Sequence, residues 1–243
     1  MIEIRNLCKK FQSVHAVRDL TLEVARGEIF CFLGPNGAGK TTTMKILAGL
    51  LRPTSGSVKI AGLDMATHQM EIKKLLGYIP DMPFMYDRLT PAEFMQFMAD
   101  LYDIPGEAAR KRTGELFGIF GLREASSALI KDLSHGMRQR LIYCATFLHE
   151  PTVLLIDEPL IGLDPYTIRL IKELLRKQAS SGVTVFLTTH ILALAEDIAD
   201  RIGIILEGRL RATGAIEELV KSSGGKRLED VFLALTQSPA EKE

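Results

Sequence analysis

The segment Gly34-Pro35-Asn36-Gly37-Ala38-Gly39-Lys40-Thr41-Thr42 lies between a short apolar run, Glu28 to Leu33, and an apolar stripe of helical spacing, Met44, Ile46, Leu47, Leu50 and Leu51. It matches G-x-x-x-x-G-K-[ST] in the strand, loop and helix context that this pattern requires. The glycines let successive backbone N–H groups turn inward around a phosphate, and the helix start near Thr41 adds its positive end. Lys40 reaches the outer phosphates and the Thr41 hydroxyl suits Mg²⁺. An ordinary glycine turn before a helix needs the glycines but not the Lys-Thr pair. The segment commits the chain to an α/β fold with its ligand at the carboxyl end of a sheet.

The remaining pattern agrees. Ile2 to Leu7 and Leu20 to Val24 alternate as strands do, and Ser57 to Ala61 and Leu75 to Pro80 read as further short strands. The stripe after the loop predicts a helix closed by Arg52-Pro53, because proline disfavours helical geometry in the residue before it. Thr90-Pro91-Ala92-Glu93 has capping-box spacing with proline at the first helical position. Helices follow over Glu107 to Phe120 and Gly136 to His149. Strand texture returns at Val153 to Ile156 and Val183 to Thr188, around a helix opened by Asp164-Pro165. A helix at Leu192 to Ala199, a hairpin of Ile202 to Leu206 with Arg209 to Ala212, and a helix at Leu228 to Leu235 complete the series. The expected architecture is a sheet with helices on both faces, interrupted by an all-helical lobe over roughly 84–150. Residues 221–243 form a short linker and closing helix.

Composition narrows the function classes. The chain has 243 residues, 47% hydrophobic and 25% charged, which excludes disordered and collagen-like classes. Lys plus Arg and Asp plus Glu both total 30, so the bulk charge does not call for a nucleic-acid backbone. The most apolar stretches, Val153 to Leu163 and Val183 to Leu206, are broken by charged residues, and no apolar run near the start resembles a secretory signal. A cytoplasmic chain is expected. Cys8, Cys31 and Cys144 lack metal-ligand spacing and read as free thiols.

Three other groups carry chemistry. The strand Val153 to Ile156 ends in Asp157 and Glu158. Asp157 suits a Mg²⁺-directed role and Glu158 suits orienting or deprotonating a water, although two solvated acids at a strand end would look the same. His190 follows a second strand and either hydrogen-bonds a γ-phosphate or caps and packs. Leu133-Ser134-His135-Gly136-Met137 begins a helix, where Ser134 on its own reads as an N-cap.

Taken in order and spacing, Gly34 to Thr42, Leu133 to Met137, Val153 to Glu158, Gly162-Leu163-Asp164 and His190 resemble the nucleotide-binding subunits of ABC transporters over residues 1–220. The resemblance implies a P-loop sheet core with an antiparallel β-subdomain and an inserted helical lobe. It implies ATP and Mg²⁺ as ligands, with Glu158, His190 and Lys40 catalytic and Thr41, Asp81 and Asp157 facing the metal. It also implies a head-to-tail pair, homodimeric or heterodimeric, with each ATP between the phosphate loop of one cassette and the Ser134–Gly136 helix end of the other. Asp164 borders the same interface. Phe11 matches the family's base-stacking aromatic and Val17 the apolar residue beside it; a plain core phenylalanine is the alternative for Phe11.

Three positions depart from the family pattern. Asp81 replaces the usual glutamine, and His135 and Met137 replace glycine and glutamine in the signature segment. These variants are similar to those of single-cassette ABC-2 type exporters, which implies a membrane permease partner and attachment to the inner face of the membrane. Met82, Phe84, Met85 and Tyr86 either form the docking cluster for that partner or pack between lobes. A soluble relative acting on ribosomes or DNA would carry two cassettes or a long coiled coil. A phosphate-loop kinase would leave Ser134, Gly136 and His190 unexplained.

Overall fold

The computed structural model describes residues 1–158, 160, 163–225 and 227–237. Two sheets form the frame. The smaller is antiparallel, in the order β2(Val14–Val24), β1(Ile2–Phe11), β4(Ser55–Ile60), β5(Leu63–Asp64). Its inner residues Ile2, Ile4, Leu7, Leu20, Leu22 and Val24 are buried at every second position of regular pairing, as period-two alternation requires.

The larger sheet has six strands, in the order β10(Arg209–Gly214), β9(Arg201–Leu206), β3(Ile29–Leu33), β8(Thr184–Thr189), β7(Val153–Asp157), β6(Leu76–Ile79). All neighbours are parallel except the β9–β10 hairpin. Strands β3, β7 and β8 are buried along their whole length, and β3 and the first four residues of β7 read as unbroken apolar runs. On one sheet face, Phe30, Phe32 and Phe186 stack in a core shared with the small sheet and α1(Lys40–Leu47). On the other face, Cys31, Leu154 and Leu187 share a continuous core with Met95, Phe117 and Phe147 of the helical lobe.

That lobe comprises α3(Pro91–Leu101), α4(Gly106–Phe120) and α5(His135–Leu148), which pack on one another, with α5 also against β6. Two further helices, α6(Pro165–Ser180) and α7(Leu192–Ile198), flank the parallel sheet. Leu228 and Val231 of α9(Leu228–Gln237) enter the same core, beside α7 and α8(Ile216–Ser222).

Two sequence expectations are corrected. Helix α1 ends at Leu47, not at Arg52, because Gly49 takes φ +66° and its N–H closes on the Ile46 carbonyl, stopping the helix before the proline is reached. The segment ahead of β6 is helical, α2(Gln69–Leu75), so the strand begins at Leu76.

Candidate nucleotide site

The parallel register places the three chemical segments side by side. Leu33 pairs with Thr189, and Asp157 pairs with Thr188. The phosphate loop after β3, the acids closing β7 and His190 after β8 therefore leave one edge of the sheet together.

The loop is shaped by contacts that only glycine tolerates. A Cβ on Gly34 would collide with the Ile205 carbonyl, and one on Gly39, at φ +109°, with the Ala16 carbonyl at the end of the small sheet. Gly39 is the N-cap of α1 and brings no side chain to the first-turn N–H groups, and no acid lies in that turn. This leaves a positive helix end for an anion. Asn36, Gly37 and Thr41 are exposed, Pro35 and Thr42 are half-buried, and Ala38 is buried. Lys40 is buried, and its Nζ donates to the carbonyls of Gly34 (2.7 Å) and Pro35 (3.2 Å).

The ammonium also faces Glu158, with Nζ 3.6 Å from Oε1. His190 Nδ1 donates to the same oxygen at 3.0 Å. Glu158 has φ +52°, a strained backbone for a non-glycine residue, and is held by its N–H donating to the Thr188 carbonyl (3.2 Å) and Oγ1 (3.3 Å). The Thr188 hydroxyl in turn donates to Asp157 Oδ1. The remaining carboxylate oxygens, Asp157 Oδ2 and Glu158 Oε2, are buried without a hydrogen-bond partner. Buried orphan acceptors are costly, at about 1–3 kcal/mol each, and call for a cation or a proton donor. Asp81 is exposed just beyond β6. Burial, and then the charges of Asp157 and Asp81, push the Tyr78 phenol up to about 12. Tyr78 therefore stays neutral and marks where the fields of Asp81 and Asp157 overlap.

Ser134 caps α5, its Oγ accepting from the Met137 N–H at 3.3 Å. Asp164 caps α6 by accepting from the Thr167 N–H (2.9 Å) and hydroxyl (2.7 Å), which hold its carboxyl below the usual range. The two caps adjoin: a Cβ on Gly136 would meet Asp164 Oδ2 at 3.9 Å. Among the described residues, no hydrogen bond or ion pair joins Ser134 to Met137 with the phosphate loop of the same chain. Gly162 lies outside the described residues. Phe11 is 45% exposed at the tip of β1, which removes the core alternative. Val17 lies on the neighbouring strand, opposite Lys9. It is completely buried on the inward face of β2.

The model of the family described as ABC transporter matches residues 17–161, a span that contains the phosphate loop, the signature segment and the paired acids. The chain belongs to the ABC transporter family. It is 38% identical over 242 residues to the daunorubicin/doxorubicin resistance ATP-binding protein DrrA of Streptomyces peucetius, covering 100% of this chain and 73% of that protein. A solved ATP binding subunit of an ABC transporter superposes with TM-score 0.92 at 33% identity, covering 97% and 99% of the two chains. The ATP-binding cassette MJ0796, solved as a dimer in a post-hydrolysis state with ADP and Pi, superposes with TM-score 0.82 at 25% identity over 88% of this chain and 98% of that one. Other curated relatives are longer still: the chain spans 40% of one that is 36% identical to it over 230 residues.

Within this ABC cassette, Thr188 is the functional residue that sequence reasoning missed. It orders both acids from the neighbouring strand, and the only trace it leaves is a pair of threonines ending the strand after Val185, Phe186 and Leu187. Of the apolar cluster after Asp81, Met85 alone is buried. Met82 and Phe84 are more than four-fifths exposed, and Phe84, Tyr86 and Phe97 form a chain of edge-on rings.

Proposed function

We propose that this cassette binds and hydrolyses ATP between two cassettes and so drives a separate membrane-embedded permease in export. The observation that carries this reading is the meeting of Lys40, Glu158 and His190 at one carboxylate oxygen. Polyphosphate entering the loop competes for the Lys40 ammonium against Glu158 and the Gly34 and Pro35 carbonyls. Once Lys40 turns to phosphate, Glu158 keeps only the imidazole and is free to orient a water toward the γ-phosphorus and receive its proton. With both ring nitrogens carrying protons, His190 donates from Nδ1 to Glu158 and from Nε2 to a γ-phosphate oxygen. The base stacks on Phe11.

The donor set fits a hard divalent cation. Asp157 Oδ2 is buried and unpaired, and the Thr41 hydroxyl is open. Thr41, Asp157 and Asp81 would hold Mg²⁺, which supplies positive charge to the phosphate oxygens.

The second cassette contributes its Ser134–Gly136 helix end, across an interface that Asp164 borders. Support comes from the isolation of Ser134 to Met137 from their own phosphate loop and from the dimeric relative holding ADP and Pi. Homodimers and heterodimers use the same surfaces. No helix among the described residues is long and apolar enough to cross a membrane. In this reading the permease supplies the path through the bilayer and the cassette sits on its cytoplasmic side. The exposed Met82, Phe84 and Tyr86 form the docking surface, and the drug-resistance relative supports the direction of transport.

The deciding variant is Glu158→Gln. It is expected to bind ATP, lose at least 100-fold in turnover and accumulate as an ATP-bound dimer on size exclusion with light scattering. Unchanged turnover overturns the role of Glu158.

A further inference from the structure

Lys9 belongs to none of the motifs above, yet its ammonium is held by two contacts, one on its own strand and one beyond α1. It precedes Phe11 by two residues on β1, so both side chains leave the same face. Lys9 Nζ sits 4.9 Å from the centroid of the Phe11 ring. The same ammonium donates to the Arg52 carbonyl at 2.9 Å. Arg52 lies just past the turn that closes α1, the helix whose N-terminus carries the phosphate loop. One ammonium therefore ties the exposed ring on the small sheet to the far end of the phosphate-binding helix.

We infer that Lys9 is a positioning residue for nucleotide binding, acting through Phe11 on the purine base; this rests on the reading of Phe11 as the stacking ring. Two physical effects operate. The cation occupies one ring face and leaves the opposite face for the ligand. It also draws electron density from the ring, which lowers the negative potential of the open face and reduces its repulsion with an electron-rich purine. The tether to the Arg52 carbonyl fixes the ammonium, and with it the ring, before ligand arrives, so less side-chain freedom is lost on binding. The register supports a built feature: the β1–β2 ladder shifts on both sides of the Lys9–Val17 pair, and Gln12 takes φ +49°, which sets the tip of the strand apart from the regular sheet. Phosphate contacts lie elsewhere in the site, so the effect is confined to ligands that carry a base.

The test compares Lys9→Met, Lys9→Arg, Phe11→Ala and the double variant Lys9→Met/Phe11→Ala in the full chain, with ATP and inorganic tripolyphosphate as probes. Lys9→Met is expected to raise the KM and Kd for ATP about two- to five-fold, with kcat and tripolyphosphate affinity unchanged. Lys9→Arg restores ATP affinity, because the guanidinium also stacks on an aromatic face. In the Phe11→Ala background, Lys9→Met has no further effect. Equal weakening of ATP and tripolyphosphate marks a general structural role and overturns the inference. So does an unchanged KM in Lys9→Met when Phe11→Ala raises it. If Phe11→Ala leaves ATP affinity intact, the stacking reading fails and the inference falls with it.

Discussion

The buried Lys40 ammonium is shared among two backbone carbonyls and a carboxylate, and that carboxylate is shared with an imidazole. Such a charge network is stable only while every member is paired, so changing one partner redirects the rest. Thr188 shows the consequence most sharply. Its hydroxyl is the sole hydrogen-bond donor to the Asp157 carboxylate among the described residues, and it also accepts from the Glu158 N–H. Thr188→Val keeps the shape of the strand but leaves Asp157 without a fixed orientation. The concentration of Mg²⁺ giving half-maximal ATPase is expected to rise about ten-fold, as removal of an outer hydrogen-bond partner does at metal sites. A Mg²⁺ titration at saturating nucleotide reads this, and an unchanged midpoint removes Thr188 from the site. The sequence showed Lys40, Thr41 and Asp157 because their meaning is local and contiguous. Thr188 acts across a ladder from a residue 31 positions away. Its role depends on register, which no short pattern encodes.

Helix ends explain much of what was legible among the elements. The capping box is complete: the Glu93 N–H donates to Thr90 Oγ1 at 3.2 Å, and the Thr90 N–H donates to Glu93 Oε2 at 2.8 Å. It can be read from four consecutive residues, so the start of α3 was fixed in advance. The end of α1 was not, because Gly49 and Pro53 both signal termination and the nearer one decides. Helix α2 escaped notice because it is short and its His68 N-cap makes no side-chain bond to the first-turn N–H groups. The box also has a pH signature. Hydrogen bonds from the Thr90 backbone and hydroxyl hold the Glu93 carboxyl below its usual range. A depressed carboxyl stabilises the fold above the unfolded pKa, near 4.3, and the contribution disappears as pH falls through the lower folded value. Glu93→Gln is therefore expected to lower Tm at pH 7 but to match the parent in strong acid. Thermal melts across the acid range check this, and a constant offset at every pH refutes it. Thr90→Ala removes the cap itself and is expected to cost about 1 kcal/mol at neutral pH.

On the whole-molecule scale, two surfaces bear on the proposed partners. One is the sheet edge that holds Lys40, Glu158 and His190, and the other is the aromatic patch that begins just after Asp81. The link between them is short: β6 pairs with β7 along its full length, so the strand that ends in Asp157 lies beside the one that leads to Asp81 and Met82. Movement of Asp81 toward a metal or phosphate would therefore be passed directly to Met82 and Phe84. Large apolar side chains with this exposure, gathered in one place, support the proposed docking of another protein here. Replacing Phe84 with Asp places a charge at the centre of that surface while leaving every group at the nucleotide site intact. A tagged chain purified from detergent-solubilised membranes is expected to bring down an integral-membrane partner, and Phe84→Asp to reduce that recovery at least ten-fold. ATP binding by the soluble variant should match the parent, which separates lost docking from misfolding. Equal recovery of the membrane protein by both chains would show that the patch is not the contact. Recovery of the parent chain only from the soluble fraction would overturn the permease reading itself.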